Sequence, residues 1–253
     1  MNEVVDPTGR RIALVTGASR GIGAETARAL ATAGDHVIIN YREKFKRAQA
    51  LADDIAHTGG TASVAGGDLS NEAAANRLIA EVAEEFGRLD VLVLNASGGL
   101  ELNAGPDYPM RINRDAQVRL VQLALPLMPS GSRIVFVTSH QAHFHGRKPV
   151  PAEYEPIAES KRAGEDALRS MIPMLSDRGV ELIVVSGDMI DGTIIVRLLE
   201  RRNSDAVEAR RHHGPLPTVE EFARAVADAT LSSDATGHTV YVGGLDYLST
   251  PAI

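Results

Sequence analysis

A glycine-rich turn near the start of the chain has the residue types and the spacing that bind a phosphate. It reads TGASRGIG over residues 16–23, directly after the apolar run Ile12–Thr16 and before a segment with helical periodicity. Glycines at 17, 21 and 23 let the backbone turn tightly and approach a pyrophosphate, and the start of the following helix supplies free N–H groups. Glycine-rich turns are common, but the strand–turn–helix context favours dinucleotide binding over a purely structural turn. The predicted contacts are Gly17, Ser19, Arg20, Gly21, Ile22 and Gly23.

A second group of reactive side chains lies in the polar stretch 139–155, which contains His140, His143 and His145. Imidazole is the side chain best suited to proton transfer near neutral pH, so one of these histidines could act as an acid or a base. The alternative is that all three are solvated loop residues. His143 and His145 would point to one side of an extended segment, but no nearby carboxylate pair completes a metal-binding set, so we predict no metal site.

Short apolar runs alternate along the chain with longer alanine-rich segments of helical period. The predicted strands are Ile12–Thr16, Val37–Asn40, Thr61–Ala65, Val91–Asn95, Arg133–Thr138, Glu181–Ser186 and His238–Val242. The predicted helices are Gly21–Ala33, Glu43–His57, Asn71–Phe86, Asp107–Leu127, Pro156–Asp177, Thr193–Arg202 and Val219–Leu231. The strands are almost continuously apolar, which indicates parallel strands covered by helices on both faces. Seven such units predict an α/β fold, either a doubly wound sheet or a barrel.

Residues with capping chemistry support these boundaries. Gly34 would end the first helix, Ser70 would cap the third, and Thr218 with Glu221 would form a capping box at the start of the last. Two stretches, 139–155 and 203–217, are predicted to be irregular. Long loops of compact domains are often functional, so we expect the site there and at the carboxyl ends of the strands.

The composition fits one globular domain over residues 1–253 and excludes several functional classes. Hydrophobic residues make up 44% of the chain, charged residues make up 23%, and the formal net charge is −7. This acidic balance offers no general attraction to nucleic acid or to acidic lipids. Because the sequence contains no cysteine, disulfides, thiolate nucleophiles and cysteine-based metal sites are excluded. The polar first residues and the lack of a long apolar run predict a cytoplasmic protein without a membrane partner.

The turn TGASRGIG resembles the TGxxxGxG motif of the short-chain dehydrogenase/reductase family, and the resemblance extends over essentially the whole chain. It implies a Rossmann-type doubly wound sheet of about seven parallel strands in a single NAD(P)-binding domain. By position, the resemblance implies catalytic roles for Asn113, Ser139 and Lys161. The cofactor contacts implied in the same way are Asp68, Leu69, Asn95, Ala96, Ser97, Lys161, Gly187 and Thr193. The segment LNAS at 94–97 departs from the family's usual Asn-Asn-Ala-Gly, and Ser186 replaces a proline.

The family's YxxxK motif lacks its tyrosine in this chain. Four residues before Lys161, where the family has the tyrosine that exchanges a proton with the substrate oxygen, this chain has Ile157. Tyr154 is a candidate replacement, because a spacing of seven residues returns to the same helix face within about 20°. Its axial distance from Lys161 would be ~10.5 Å instead of ~6 Å, so only a loop that folds back would bring its hydroxyl to Ser139. A histidine of the stretch 139–155 is the second candidate acid.

The end of the second predicted strand indicates which nicotinamide cofactor binds. NAD-binding proteins of this type generally place a carboxylate there for the ribose 2′-hydroxyl, whereas NADP-binding proteins bring in a basic group. This chain has Asn40-Tyr41-Arg42, and Arg20 supplies a second guanidinium. Both arginines could pair with a 2′-phosphate, so we predict NADP (NADPH) over NAD; the alternative is that they are solvated surface charges.

These residues predict an NADP-dependent oxidoreductase that acts on a small-molecule carbonyl or alcohol substrate with an atypical proton donor. The alternative is a catalytically silent NAD(P)-binding protein, such as a redox sensor or a regulatory subunit. The resemblance also implies a homodimer or homotetramer formed through the helices that carry Asn113 and Lys161. The apolar side chains that would give the first of these helices spare surface are Val118, Val121, Leu125 and Met128.

Overall fold

The computed structural model describes residues 9–100, 105–193, 196–197, 200–201, 204–212 and 214–249. The strands in these ranges are β1 (Ile12–Val15), β2 (His36–Tyr41), β3 (Thr61–Gly66), β4 (Val91–Leu94), β5 (Arg133–Ser139), β6 (Glu181–Gly187) and β7 (Thr239–Val242). They form one parallel sheet in the order β3-β2-β1-β4-β5-β6-β7. The predicted Rossmann-type doubly wound sheet is confirmed, and each predicted strand lies within about one residue of its observed bounds.

Helices cover both faces of the sheet. They are α1 (Gly21–Thr32), α2 (Phe45–His57), α3 (Glu72–Phe86), α4 (Tyr108–Met110), α5 (Ala116–Ala124), α6 (His140–His143), α7 (Glu155–Ser170), α8 (Ile172–Ser176), α9 (Ser204–His212), α10 (Val219–Ala229) and α11 (Leu245–Ser249). A π-helical turn (Arg111–Asp115) joins α4 to α5, and a 3-10 turn (Leu125–Leu127) follows α5. In the ranges given above, no helix is both long and apolar enough to cross a bilayer.

One predicted helix cap is present as expected, and another is replaced by the neighbouring residue. The capping box of Thr218 and Glu221 is present at the start of α10. The cap of α3 is Asn71 and not Ser70, since the Asn71 side chain accepts a hydrogen bond from the Ala74 N–H at 3.0 Å. Ser70 is engaged elsewhere, because its hydroxyl donates to an Asp68 carboxylate oxygen at 2.7 Å.

Both stretches predicted to be irregular contain helix. Helix α6 lies within 139–155 and α9 within 203–217. A four-residue helix has no periodicity to detect, and α9 is too rich in charged residues to show an apolar face. The helix predicted over Thr193–Arg202 includes residues 194, 195, 198, 199 and 202, which lie outside the described residues; residues 196–197 and 200–201 are helical.

Apolar side chains of the strands alternate between two cores, one on each face of the sheet. Along β1, Leu14 faces the core built with α3, α5 and α7, whereas Ala13 and Val15 face the core built with α1, α2 and α10. Because every strand pairing is parallel, the carboxyl ends of all strands meet at one edge. The order of connection reverses between β1 and β4, and ligands of such sheets bind in the crevice at that point.

Candidate active site

The glycine-rich turn lies at the crevice between β1 and β4. Gly17 and Gly21 have φ angles of 61° and 56°, in the left-handed region that glycine adopts without strain. A Cβ at Gly17 would lie 3.0 Å from Ala96 Cα, so the turn packs directly on the segment after β4. A Cβ at Gly21 would meet nothing within 4 Å. The turn is therefore tight on its protein side and open at the start of α1.

The open start of α1 fits the pyrophosphate of a dinucleotide. Arg20 is the N-cap in an extended conformation, and its side chain makes no capping hydrogen bond to the helix. The N–H groups of Gly21, Ile22 and Gly23 precede the first possible intrahelical acceptor, so they point out of the helix with its positive dipole end. Ser19 is half-buried and Arg20 exposed beside them. This geometry suits an anion at the predicted place.

Asn95 fastens the turn to β4. Its Nδ2 donates to the Thr16 carbonyl at 2.8 Å, and its backbone N–H donates to Thr16 Oγ1 at 2.9 Å. The Ala96 N–H donates to the same hydroxyl oxygen at 2.9 Å, and that hydroxyl donates to the Val93 carbonyl at 3.1 Å. The predicted cofactor residues Asn95 and Ala96 thus hold the shape of the crevice through contacts within the protein.

The end of β2 carries an amide and then a guanidinium. Asn40 is buried, its Oδ1 accepts from the Gly17 N–H at 3.2 Å, and its Nδ2 donates to the Ala65 carbonyl at 3.2 Å. The Asn40 side chain therefore supports the turn from inside the protein and brings no charge. Arg42 is exposed, and its Nη1 donates to the hydroxyl of Tyr108 at 2.7 Å, a contact that the sequence did not indicate.

The remaining predicted cofactor residues also lie at the carboxyl edge. After β3, an Asp68 carboxylate oxygen accepts from the Ser70 N–H at 2.9 Å, and Leu69 is buried in the core. Gly187 ends β6, where a Cβ would collide with the ring of Phe222. Thr193 Oγ1 donates to the Ile190 carbonyl at 2.8 Å. Their roles toward a cofactor stay predictions.

Asn113 is buried in the π-helical turn, a feature frequent at functional sites. Its Nδ2 donates to the Gly98 carbonyl at 2.9 Å and to Ser160 Oγ at 3.0 Å, and its Oδ1 accepts from Ser97 Oγ at 2.9 Å. Helix α7 approaches this turn so closely that a Cβ at Gly164 would collide with the Asn113 carbonyl oxygen. The Asn113 amide therefore ties the segment after β4 to α7.

The stretch between β5 and α7 folds back, so that Tyr154 reaches Ser139. Tyr154 is the N-cap of α7, and its hydroxyl lies 3.1 Å from Ser139 Oγ. Ser139 ends β5, and its Oγ also accepts from the Ala142 N–H at 3.2 Å. Burial raises the pKa of Tyr154, and the hydrogen bond with Ser139 offsets part of this effect. A protonated phenol and a serine hydroxyl thus meet at the carboxyl end of β5.

Ile157 is a packing residue in this structure. It is 2% exposed and lies in a small core with Ala142, Tyr154 and Ala158. A Cβ at Gly99 would come within 3.2 Å of Ile157 Cγ1, so the chain on the other side is close as well. The position four residues before Lys161 is thus occupied by a packed apolar side chain, which has no proton to exchange with a substrate.

Lys161 is buried on the inner face of α7. Desolvation lowers the pKa of its amine from 10.5 to about 8. Burying an ammonium group is unfavourable unless a partner compensates it, which makes such an amine a candidate for binding a ligand hydroxyl. Tyr154 caps the same helix that carries Lys161.

Two of the three histidines predicted as solvated or catalytic are buried. His140 Nε2 lies 3.0 Å from the Gly243 carbonyl and must donate to it, so His140 Nδ1 accepts from Ser186 Oγ at 2.8 Å. Burial lowers the pKa of His140, which favours its neutral form. Both ring nitrogens are thus used to join β5, β6 and the turn before α11. His145 lies nearer the surface, where its Nε2 is 2.7 Å from a Glu155 carboxylate oxygen.

His143 belongs to a buried polar network that the sequence did not reveal. Its Nδ1 lies 2.9 Å from Glu165 Oε2, and its Nε2 lies 2.9 Å from the hydroxyl of Tyr241. Burial alone would raise the pKa of Glu165, but the hydrogen bonds and charges of His143 and Arg169 outweigh burial and lower it. The available signal was helical spacing, since Glu165 falls on the buried face four residues after Lys161.

Comparisons with known proteins agree with this fold and site. The sequence profile described as short chain dehydrogenase matches residues 11–203. The chain is 30% identical to 1-cyclohexenylcarbonyl-CoA reductase from Streptomyces collinus over 259 aligned positions, which cover 96% of this chain and 89% of that protein. The chain belongs to the short-chain dehydrogenase/reductase family, as the motifs imply. It is an NAD(P)-dependent oxidoreductase.

Solved structures support the same assignment. The fold is similar to that of the angucycline C-6 ketoreductase LanV with bound NADP, with a TM-score of 0.77 and 28% identity over 96% of each chain. It is also similar to a short chain dehydrogenase from Burkholderia cenocepacia J2315 in complex with NADP, with a TM-score of 0.77 and 28% identity over 96% of this chain and 98% of that one.

Proposed function

We propose that the protein is an NADP-dependent reductase of small carbonyl compounds in which Tyr154 is the proton donor. The observation that carries the proposal is the 3.1 Å contact between the hydroxyls of Ser139 and Tyr154. Two adjacent hydroxyls can bind one substrate oxygen, Ser139 to orient it and Tyr154 to protonate it. LanV, which has the same fold, is named a ketoreductase, and this supports a carbonyl substrate.

The bound cofactor would supply a hydride to the carbonyl carbon, and the protein must then supply a proton to the oxygen. Because burial raises the pKa of Tyr154, its phenol is protonated at neutral pH and can act as an acid. Because an alkoxide is more basic than a phenolate, transfer of the proton from Tyr154 to the substrate oxygen is favourable in free energy. Lys161, with a pKa of about 8, would bind the cofactor ribose, as the family resemblance implies.

The preference for NADP is supported by the charges at the end of β2. Asn40 and Tyr41 end the strand without a carboxylate, and the exposed Arg42 follows. Arg20 stands at the amino end of α1, and under this proposal its guanidinium would also pair with the 2′-phosphate. The complexes of LanV and of the B. cenocepacia protein with NADP agree with this choice.

Reduction of a double bond conjugated to a thioester is a second candidate. The name of the S. collinus relative gives a CoA ester whose carbonyl is joined to a cyclohexene ring. Hydride addition to the far carbon of such a system leaves an enolate oxygen that is two atoms farther from that carbon than a ketone oxygen would be. That enolate oxygen would also need a hydrogen-bond donor, and the Tyr154 hydroxyl beside Ser139 could supply it.

The substitution Tyr154→Phe tests the proton donor. We expect kcat to fall ~100-fold or more with the Kd of NADPH unchanged, because the ring still packs and only the acid is lost. NADPH absorbance would follow turnover of a panel of ketones and enoyl thioesters, and mass spectrometry would identify the product. The matched control is Tyr241→Phe, which removes a hydroxyl bonded to His143 and should leave kcat unchanged.

The identity of the product and the activity of Tyr154→Phe distinguish the candidate functions. An alcohol as product supports carbonyl reduction, and a saturated thioester supports the second candidate. Full activity of Tyr154→Phe contradicts the proposed donor. If the wild type binds NADPH and turns over no member of the panel, the catalytically silent alternative replaces the proposal.

A further inference from the structure

Arg42 is hydrogen bonded to a residue that is distant in the sequence. Its Nη1 donates to the hydroxyl of Tyr108 at 2.7 Å, although the two residues lie 66 positions apart. Arg42 follows β2 and Tyr108 begins α4, so the contact joins the two sides of the crevice around β1. An exposed arginine after a strand would otherwise sample many rotamers.

Tyr108 is a rigid anchor for this contact. The residue is 8% exposed, and its ring packs in the core that contains Leu69 and Ile112. The guanidinium of Arg111 lies over the same ring, 5.8 Å from its centroid. Because the ring is fixed on these sides, the position of its hydroxyl is fixed, and the guanidinium of Arg42 is located with it.

Tyr108 binds the Arg42 guanidinium through a neutral group. A phenol is neutral and accepts one hydrogen bond without cancelling the positive charge of the guanidinium. One acidic neighbour is Glu43, whose carboxylate lies 3.4 Å from Arg42 Nε and is largely exposed. An exposed pair of this kind is weak, so Glu43 neutralises Arg42 only in part. The contact with Tyr108 thus orients the guanidinium without placing a negative charge beside it.

We infer that Tyr108 is a positioning residue that holds the Arg42 guanidinium at the end of β2 for the 2′-phosphate of NADP, and so contributes to the preference for NADP over NAD. The inference rests on the proposed function, since it requires that NADP be the preferred cofactor. Preorganisation lowers the entropy lost when Arg42 binds the 2′-phosphate, and NADH, which has no 2′-phosphate, gains nothing from it.

Isothermal titration calorimetry with NADPH and NADH tests the inference without any substrate. The variants are Tyr108→Phe, Arg42→Ala and the double substitution, with Tyr41→Phe as the control, because Tyr41 is a neighbouring tyrosine whose ring lies against Gly66 and Phe45. We expect Tyr108→Phe to weaken NADPH binding roughly three- to tenfold and to leave NADH binding unchanged, as for loss of one hydrogen bond. Arg42→Ala should have a larger effect, and the double variant should match Arg42→Ala.

Each other result overturns the inference in a recognisable way. Equal wild-type affinities for NADPH and NADH overturn both the NADP assignment and the role of Tyr108. A preference for NADPH that is undiminished in Tyr108→Phe, or tighter NADPH binding by that variant, overturns the role of Tyr108 alone. Weakening of NADPH and NADH to the same extent, with a lower Tm of the cofactor-free variant, shows a structural role only. Additive effects in the double variant also overturn the inference, because Tyr108 would then act without Arg42.

Discussion

Lys161 lowers the stability of the folded chain at neutral pH because its amine is buried. Its amine is buried on α7, and desolvation lowers its pKa to about 8. Between that value and its ordinary 10.5, the unfolded chain binds more protons than the folded one. The stability of the wild type therefore rises with pH through this window, and the penalty for burying the charge is fully present below it.

Replacement of Lys161 by methionine should remove the free-energy cost of burying this charge. We expect Lys161→Met to be more stable than the wild type by about 3 kcal/mol at pH 7 without cofactor, because an apolar side chain of similar length is not desolvated at a cost. The gain should shrink as pH rises toward 10.5 and vanish above it. Urea denaturation at several pH values measures this; a difference independent of pH would contradict it. The variant should also lose affinity for NADPH.

At the scale of elements, the contact between α7 and the π-helical turn positions much of the site. Asn113 on the turn and Ser160 on the helix are hydrogen bonded at 3.0 Å, and Gly164 allows the two backbones to approach. The same helix carries Tyr154 at its start and Lys161 in its middle. A small displacement of α7 would therefore change the positions of several site residues together.

The substitution Gly164→Ala tests this contact. Alanine normally stabilises a helix relative to glycine by about 1 kcal/mol. Here the added Cβ collides with a backbone oxygen, so we expect destabilisation by about 1–3 kcal/mol and lower turnover. The control is Gly105→Ala, at an exposed position where a Cβ meets nothing within 4 Å. Thermal denaturation measures both variants, and a stabilised Gly164→Ala would refute the close contact.

Elements with a local signal were predictable from the sequence, and contacts between distant segments were not. The strands were found because their apolar runs are continuous, and the turn at 16–23 because glycines follow β1 directly. The return of Tyr154 to Ser139 depends on the path of the stretch 139–155, which has no periodic pattern. The burial of His140 and His143 depends on β6, β7 and α7. A residue type alone does not reveal such partners.

Most of the apolar residues predicted to form an interface between copies of the chain are buried within one copy. Val121, Leu125 and Met128, predicted to give the helix that carries Asn113 spare apolar surface, are buried in the chain's own core. Their periodicity was interpreted correctly as an apolar face, but that face is used by the sheet and α3. Val118 remains partly exposed in a groove of about 560 Å³ on the face of α5, where Leu123 and Ala167 also lie.

We still expect a homodimer or homotetramer through this face, as the family resemblance implies. Light scattering at micromolar concentration should give a multiple of the chain mass of 26.9 kDa. Val118→Glu should shift the mass toward the monomer, because it buries a charge in the groove. Leu231→Glu, at an exposed position after α10, should not. A wild type that is monomeric at this concentration would contradict the prediction.

The hydrogen bonds between Thr16 and Asn95 have a consequence for the chain while it is being synthesised. The two residues lie 79 positions apart, and Gly17 also needs Asn40, 23 positions later. At ~5–20 residues per second, a ribosome needs ~4–16 s to extend from Thr16 to Asn95. Thr16 leaves the ribosome 79 residues before Asn95 does, so for that time the glycine-rich turn lacks the strand that closes it. Cofactor binding can therefore stabilise the nascent chain only after the first four strands have been made.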